Sequence, residues 1–178
     1  MIEKEKLLER RAAYEGRMLH VYSDRVEIGG RETTREVVLH PGACAILPVT
    51  EKKEILFVRQ YRYAAEETLL EIPAGKIDPG EAPDVCAARE LTEETGFRAE
   101  RLRKLGAVFT TPGFCNEKIH LYLADRLVPA HQHLDTDEFL DVVKIPLDEA
   151  LEMIRNGEIS DAKMLAAFAI AAGRLKDL

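Results

Sequence analysis

Glu90, Glu93 and Glu94 stand at spacings i, i+3 and i+4 within Arg-Glu-Leu-Thr-Glu-Glu-Thr-Gly-Phe, the run from Arg89 to Phe97. In a helix these carboxylates crowd together, and like charges at that spacing destabilise it by about 0.2–0.5 kcal/mol per pair. A solvated acidic face tolerates that cost in water. A hard cation held by carboxylate oxygens offsets it, and Mg²⁺ suits the pattern because it takes one or two carboxylates and completes its shell with water and substrate phosphate. Bound there, such a cation neutralises a phosphate's charge and acidifies a water molecule. The chemistry to look for is that of a phosphate-bearing substrate met by a bound cation.

The neighbouring residues predict the element that carries these acids. Pro83 suits the first turn of a helix, where its missing N–H costs nothing. Gly96 suits the position just past the end. Between them Ala87, Ala88, Leu91 and Thr95 recur on one side at the helical period, with Glu90 and Glu94 on another and Glu93 at its edge.

Gly75, Glu81, Arg89-Glu90-Leu91, Glu93-Glu94 and Gly96-Phe97 together spell G-x5-E-x7-R-E-U-x-E-E-x-G-U, where U is a bulky apolar residue. That is the full Nudix box, matched at every fixed position, and the chain resembles a Nudix hydrolase. The resemblance implies an α+β fold, a mixed β-sheet packed between helices as an α/β/α sandwich. It also implies hydrolysis of a nucleoside diphosphate linked to another group. Glu90 and Glu94 would be direct metal ligands, with the backbone carbonyl of Ala74 completing a site. Glu93 would be a further ligand or a base, and Arg89 would orient the acids. The cofactor would be Mg²⁺, with Mn²⁺ as a substitute.

The flanks resemble the ADP-ribose pyrophosphatase subfamily. Pro112 lies in Thr-Pro-Gly, fifteen residues after Phe97, and Val58–Tyr63, Leu70–Ile77 and Arg35–Val38 have the subfamily's look. By that resemblance Arg35 and Glu36 contact adenosine, Arg62 or Arg59 binds phosphate or the terminal ribose, and Lys76 joins the substrate-binding set. Thr111, Pro112 and Gly113 shape the wall beside the ribose. Glu138 occupies the position of a functional glutamate and competes with Glu93 as general base. The expected reaction is cleavage of ADP-ribose to AMP and ribose 5-phosphate. The alternatives are another nucleoside diphosphate sugar, such as GDP-mannose, and a Nudix-fold sensor that binds without cleaving.

Composition limits the partners. A net charge of −7 argues against a general nucleic-acid or anionic-membrane surface, both of which need a basic face. No apolar run approaches the roughly 20 residues of a membrane span, and the charged start, Met-Ile-Glu-Lys-Glu-Lys, lacks a signal-peptide core. Cys44, Cys86 and Cys115 are scattered, with no CxxC, as suits a reducing compartment. The expected place is the cytoplasm and the expected partner a small molecule.

Two parts follow along the chain. Residues 1–40 read as a β-arm. Within it residues 1–15 are polar, loose or partly helical, and 17–39 form a hairpin about Gly29-Gly30. The arm is too small to hold a core alone, and in the subfamily it crosses to the partner of a homodimer. Residues 41–178 read as the hydrolase domain. Its strands fall near 43–49, 55–58, 69–72, 102–109, 118–123 and 139–145, with an acidic loop over 125–138. Helices follow over 146–156 and beyond Ser160 or Asp161, the last with Leu165, Phe168 and Ile170 on its apolar face.

Overall fold

The computed structural model describes residues 2–175. The chain divides into two compact units. The first comprises the residues up to Gly42 together with Phe109–Lys118. Strands β1 (Lys6–Glu15), β2 (His20–Ile28) and β3 (Arg31–Leu39) form one antiparallel sheet in the order β1-β2-β3. Gly29 and Gly30 turn the β2–β3 hairpin with φ of 57° and 74°, the left-handed pair that a tight hairpin turn requires.

The hairpin is therefore a three-stranded sheet, because residues 6–15 are a strand and not the loose or helical segment expected. Cross-strand pairing explains the difference. Arg10 clamps the buried Asp24 through Nε to Oδ1 at 2.9 Å and Nη2 to Oδ2 at 2.6 Å, and lies 4.7 Å over the Tyr22 ring. The Arg10 hydrogen bonds hold the Asp24 carboxyl below its ordinary pKa. A strand built on charge pairing shows no apolar alternation to read. The Phe109–Lys118 segment joins the end of β3, with Val38 N–H donating to Phe114 O at 2.7 Å and His40 N–H to Asn116 Oδ1 at 2.7 Å.

The second unit holds Ala43–Val108 and Ile119 onward. Its strands are β4 (Ala43–Pro48), β5 (Glu54–Arg62), β6 (Glu67–Glu71), β7 (Ala74–Lys76), β8 (Phe97–Phe109), β9 (Lys118–Pro129) and β10 (Leu140–Pro146). The helices are α1 (Pro83–Thr95), α2 (Leu147–Arg155) and α3 (Ala162–Leu175). One sheet runs β7-β4-β9-β8, with β4 parallel to β9 and antiparallel to β7, so it is mixed. The other, β10-β5-β6, is antiparallel.

Strand β4 is buried throughout, as a strand covered on both faces must be. Ala43, Ala45 and Leu47 join a core with Phe57, Met164, Ala167 and Phe168, which brings α3 to one side. Cys44 and Ile46 point the other way, to Cys86, Ala87 and Leu91 of α1 and to Tyr122. Helix, sheet and helix stack in layers, as expected.

Two details differ from the sequence reading. Residues 125–129 continue β9, because the buried Asp125 takes Arg101 and Arg103 of β8, each at 2.6 Å. What reads as loop charge is a cross-strand ion pair. On α3 the buried face is Met164, Ala167, Phe168, Ala171 and Leu175, while Ile170 is 41% exposed. Two residues beyond Phe168 lies about 200° around a helix, and small alanines form the true face. Asp161 caps α3, accepting Met164 N–H at 3.2 Å.

Phe168 stacks on Phe57 with ring centroids 6.3 Å apart and is 4% exposed. Phe168→Ala is expected to lower unfolding stability by about 3–5 kcal/mol, measured by denaturant titration.

Candidate functional site

Helix α1 carries the acids, and its packing decides what they can do. Pro83 opens it and Gly96 closes it at φ 71°, with Gly96 N–H donating to Thr92 O at 2.9 Å. Cys86, Ala87, Leu91 and Thr95 are buried, and so are Glu90 at 8% and Glu94 at 3% exposure. Ala88, expected on the apolar side, is exposed. Glu90 and Glu94 are thus not a solvated face; they lie against the short strand β7.

That strand is shaped around them. A Cβ placed on Gly75 would clash with the Glu90 carboxyl group, so any side chain there would have to displace that carboxylate. Next to it, Ala74 N–H donates to Glu94 Oε2 at 3.2 Å. Arg89 binds the surrounding acids together. Its Nε and Nη2 take Glu81 in a fork at 2.9 Å each, and Nη1 reaches Glu90 at 2.6 Å and Glu93 at 3.0 Å. Nη2 also donates to Lys76 O at 3.1 Å. The guanidinium is fully used as an organiser. Its hydrogen bonds draw the Glu81 carboxyl down to a pKa of about 2.

Glu90 and Glu94 respond in the opposite sense. Burial pushes the Glu90 carboxyl up to about 6 against the pull of Arg89. Burial, with the charge of Glu90 added, pushes Glu94 up to about 8. In both, burial outweighs the nearby arginine charge, a condition that a bound cation would relieve. Among the described residues, no three carboxylate, imidazole or thiol groups already converge as a closed metal cage. An open, oxygen-only set on one side fits a hard cation that keeps waters and substrate phosphate on its other side. Glu93 is 37% exposed at its side chain and pairs with Arg89 at the rim.

The other candidates in this unit occupy different roles. Arg62 gives Nε and Nη2 to the buried Glu71 at 2.6 and 2.7 Å. Lys163 of α3 also bonds Glu71, and reaches Asp161 at 3.0 Å. Burial pushes the Glu71 carboxyl up, but Arg62 and Lys163 outweigh it and hold it below its ordinary pKa. The Arg62 charge also favours ionised Glu94. Arg59 is exposed and lines a cavity of about 380 Å³ with Tyr61, Thr68, Leu134, Glu138, Phe139, Leu140 and Asp141. Glu138 sits in the β9–β10 loop, and its charge contributes to raising both Glu90 and Glu94. Lys76 offers its carbonyl to Arg89 and exposes its side chain. Glu71, Asp161 and Lys163 carry no motif spacing, and the sequence reading passed over them as a group.

Arg35, Glu36, Thr111, Pro112 and Gly113 belong to the first unit. Arg35 forks onto Glu5, with Nη2 to Oε1 at 2.6 Å, and Glu36 is exposed. Thr111–Phe114 is a turn in which Thr111 O accepts Phe114 N–H at 3.1 Å and Cys115 N–H at 2.9 Å.

Residues 38–168 match the NUDIX domain. The chain belongs to the Nudix family. It is 41% identical over 177 residues to an ADP-ribose pyrophosphatase of Bacillus subtilis (strain 168), covering 98% of this chain and 95% of that protein. It is 42% identical to a methanol dehydrogenase activator of Bacillus methanolicus, covering 92% and 90%. Among solved structures it resembles the crystal structure of an ADP compounds hydrolase, with a TM-score of 0.88, 26% identity, and coverage of 99% of this chain and 97% of that one. The protein has the Nudix fold and is a hydrolase acting on diphosphate bonds. No helix among its described residues is long and apolar enough to cross a membrane.

The acid pair gives the Nudix domain a pH signature. Glu94 binds its proton more tightly folded, at about 8, than at its ordinary 4.5. Between these values the folded state holds more protons than the unfolded, so metal-free stability falls as pH rises. Denaturant titrations from pH 4.5 to 8.5 are expected to show that fall, and Glu94→Gln is expected to flatten it. Added Mg²⁺ is expected to stabilise the parent protein most at the alkaline end.

Proposed function

We propose that this Nudix hydrolase cleaves ADP-ribose to AMP and ribose 5-phosphate with Mg²⁺, for which Mn²⁺ substitutes. The observation that carries the reading is the buried pair Glu90 and Glu94, raised in pKa by burial, with Glu90 packed directly on Gly75. Likeness to an ADP-ribose pyrophosphatase over nearly the whole chain supports the substrate. Bound Mg²⁺ supplies charge neutralisation for the diphosphate and acidifies water. Glu90 and Glu94, with the Ala74 carbonyl, hold it, and Glu93 is a further ligand or the alternative base. Arg89 fixes the acids in place through its bonds to Glu81, Glu90 and Glu93.

Glu138 takes a proton from the attacking water. The water oxygen bonds to one phosphorus while that phosphorus loses its bond to the bridging oxygen, which leaves with the other phosphate. One water is consumed and two phosphate monoesters form. Arg62, Arg59 and Lys76 attract the diphosphate and terminal ribose, arginine because its fork matches pairs of phosphate oxygens. Arg35 and Glu36 recognise adenosine, and Thr111, Pro112 and Gly113 shape the ribose wall. The protein works in the cytoplasm as a homodimer, with the arm of residues 1–40 exchanged between subunits. Light scattering at micromolar concentration is expected to give twice the chain mass.

A second reading, supported by likeness to the methanol dehydrogenase activator, is an accessory role toward a dehydrogenase. Methanol dehydrogenase turnover with and without this chain tests it.

The main test is a hydrolysis panel in Mg²⁺ with ADP-ribose, NADH, GDP-mannose, diadenosine polyphosphates and 8-oxo-dGTP, products separated by chromatography. AMP is expected fastest from ADP-ribose. Another compound ahead by about tenfold would reassign Arg35, Glu36 and Pro112 while leaving the diphosphate chemistry intact. Glu94→Gln is expected to slow turnover by about 100-fold or more, since a tenfold change is about 1.36 kcal/mol and a bound cation contributes several. A loss below tenfold would remove Glu94 from the ligand set.

A further inference from the structure

The carboxyl end of α1 is capped from a distance. A helix leaves its last carbonyls without intrahelical partners. Here Thr92 O is met by Gly96 N–H, but the next ones are met by the β9–β10 loop. His133 N–H donates to Glu93 O at 3.0 Å, and Ala130 N–H donates to Gly96 O at 2.7 Å. Between them, Gln132 Nε2 donates to Glu94 O at 2.6 Å. A Cβ on Gly96 would meet Gln132 Cβ at 3.4 Å and Gln132 N at 3.5 Å, so the loop lies directly on the helix end. Of these three donors only the Gln132 amide belongs to a side chain.

The same loop carries Glu138. Downstream of His133 it re-enters the sheet at Leu140, opposite Gln60. The intervening turn is closed by Glu138 N–H to Asp135 O at 3.0 Å. Residues 130–133 are therefore pinned to the backbone of Glu93 and Glu94, whose side chains form the acid cluster, and Leu140 is pinned to β5. Only a short turn lies between the two anchors, and Glu138 is in it.

We propose that Gln132 is a positioning residue, a clamp that fixes the β9–β10 loop on the end of α1 and so sets Glu138 relative to Glu90 and Glu94. The proposal rests on the reading of Glu138 as the base. A general base acts only within hydrogen-bond reach of its proton, and a displacement near 1 Å lowers the rate by about 100-fold. Replacing the amide frees the loop's entry and leaves Glu94 O without its donor. A residue that merely capped the helix would lower stability and would slow catalysis equally whether or not residue 138 could accept a proton.

The experiment is a double-mutant cycle on the full chain with ADP-ribose and Mg²⁺, using Gln132→Ala, Gln132→Glu, Glu138→Gln and the two double variants. Gln132→Glu keeps the length but cannot donate, and serves if Gln132→Ala does not fold. Each Gln132 variant alone is expected to lower kcat by about 10–100-fold with KM changed less than about twofold. In the Glu138→Gln background the same change is expected to add less than about twofold. A Gln132 variant with kcat within twofold of the parent overturns the clamp. So does an equal loss in both backgrounds, which would assign Gln132 to the helix alone. Glu138→Gln within tenfold of the parent removes the base and the clamp's purpose with it. That result differs from failure of the clamp alone, in which Glu138→Gln is slow and the Gln132 variants are not.

Discussion

Two carboxylates buried on the core side of one helix set the terms for everything around them. Glu90 and Glu94 share the sheet-facing half of α1 with Cys86, Ala87 and Leu91. Taking a carboxylate out of water costs several kcal/mol unless a cation meets it. The chain bonds one guanidinium, Arg89, to this cluster and divides it among Glu81, Glu90 and Glu93. Glu94 receives a single backbone N–H from Ala74. The close approach at Gly75 leaves the Glu90 carboxyl group facing bare backbone. Folding therefore ends with Glu94 buried beside a second acid, and both effects raise its proton affinity.

Glu71 shows that a raised proton affinity is not a general consequence of burial. It is 1% exposed, as enclosed as Glu94 at 3%. Arg62 and Lys163 both bond it, and its carboxyl is held below its ordinary pKa, while that of Glu94 is raised to about 8. The two acids differ in the number of cations that bond them. Where an acid joins β5, β6 and α3, the chain brings its own positive charge. Beside α1 the one bonded guanidinium, Arg89, is shared among Glu81, Glu90 and Glu93, and among the described residues none bonds Glu94. A divalent cation, as proposed, would complete the second arrangement and would have no vacancy in the first.

The sequence exposes these facts unevenly, for physical reasons. Helix α1 was legible because Pro83, Gly96 and the apolar period all agree, and the acids were legible because their spacing is fixed by motif. Their burial was not, since a period count assigns charged residues to water and cannot see β7 pressing on Glu90. Strand β1 and the extension of β9 were misread for one shared reason. Both hold their pairing through ion pairs, Arg10 with Asp24 and Asp125 with Arg101 and Arg103, and charge reads as loop. The Glu71–Lys163 pair joins residues 92 apart in sequence, so no local pattern announces it. Arg62 stands out in the sequence, but its bond to Glu71 is set by the fold alone.

Helix α1 also explains how a site can be stiff at its centre and adjustable at its edge. One face of the helix is locked into the core through Leu91 and Ala87, so the acids above it inherit the rigidity of the sheet. Its last carbonyls hold the β9–β10 loop, whose residues are mostly exposed and carry little apolar packing of their own. Hydrogen bonds to exposed backbone hold less firmly than buried apolar contacts, and such segments open at lower free energy. The acids that would grip a cation cannot drift without unpacking the core. Glu138, hung on the loop, can move when a few hydrogen bonds exchange, which is the mobility the proposed proton acceptor would need if substrate is to enter and product to leave past it.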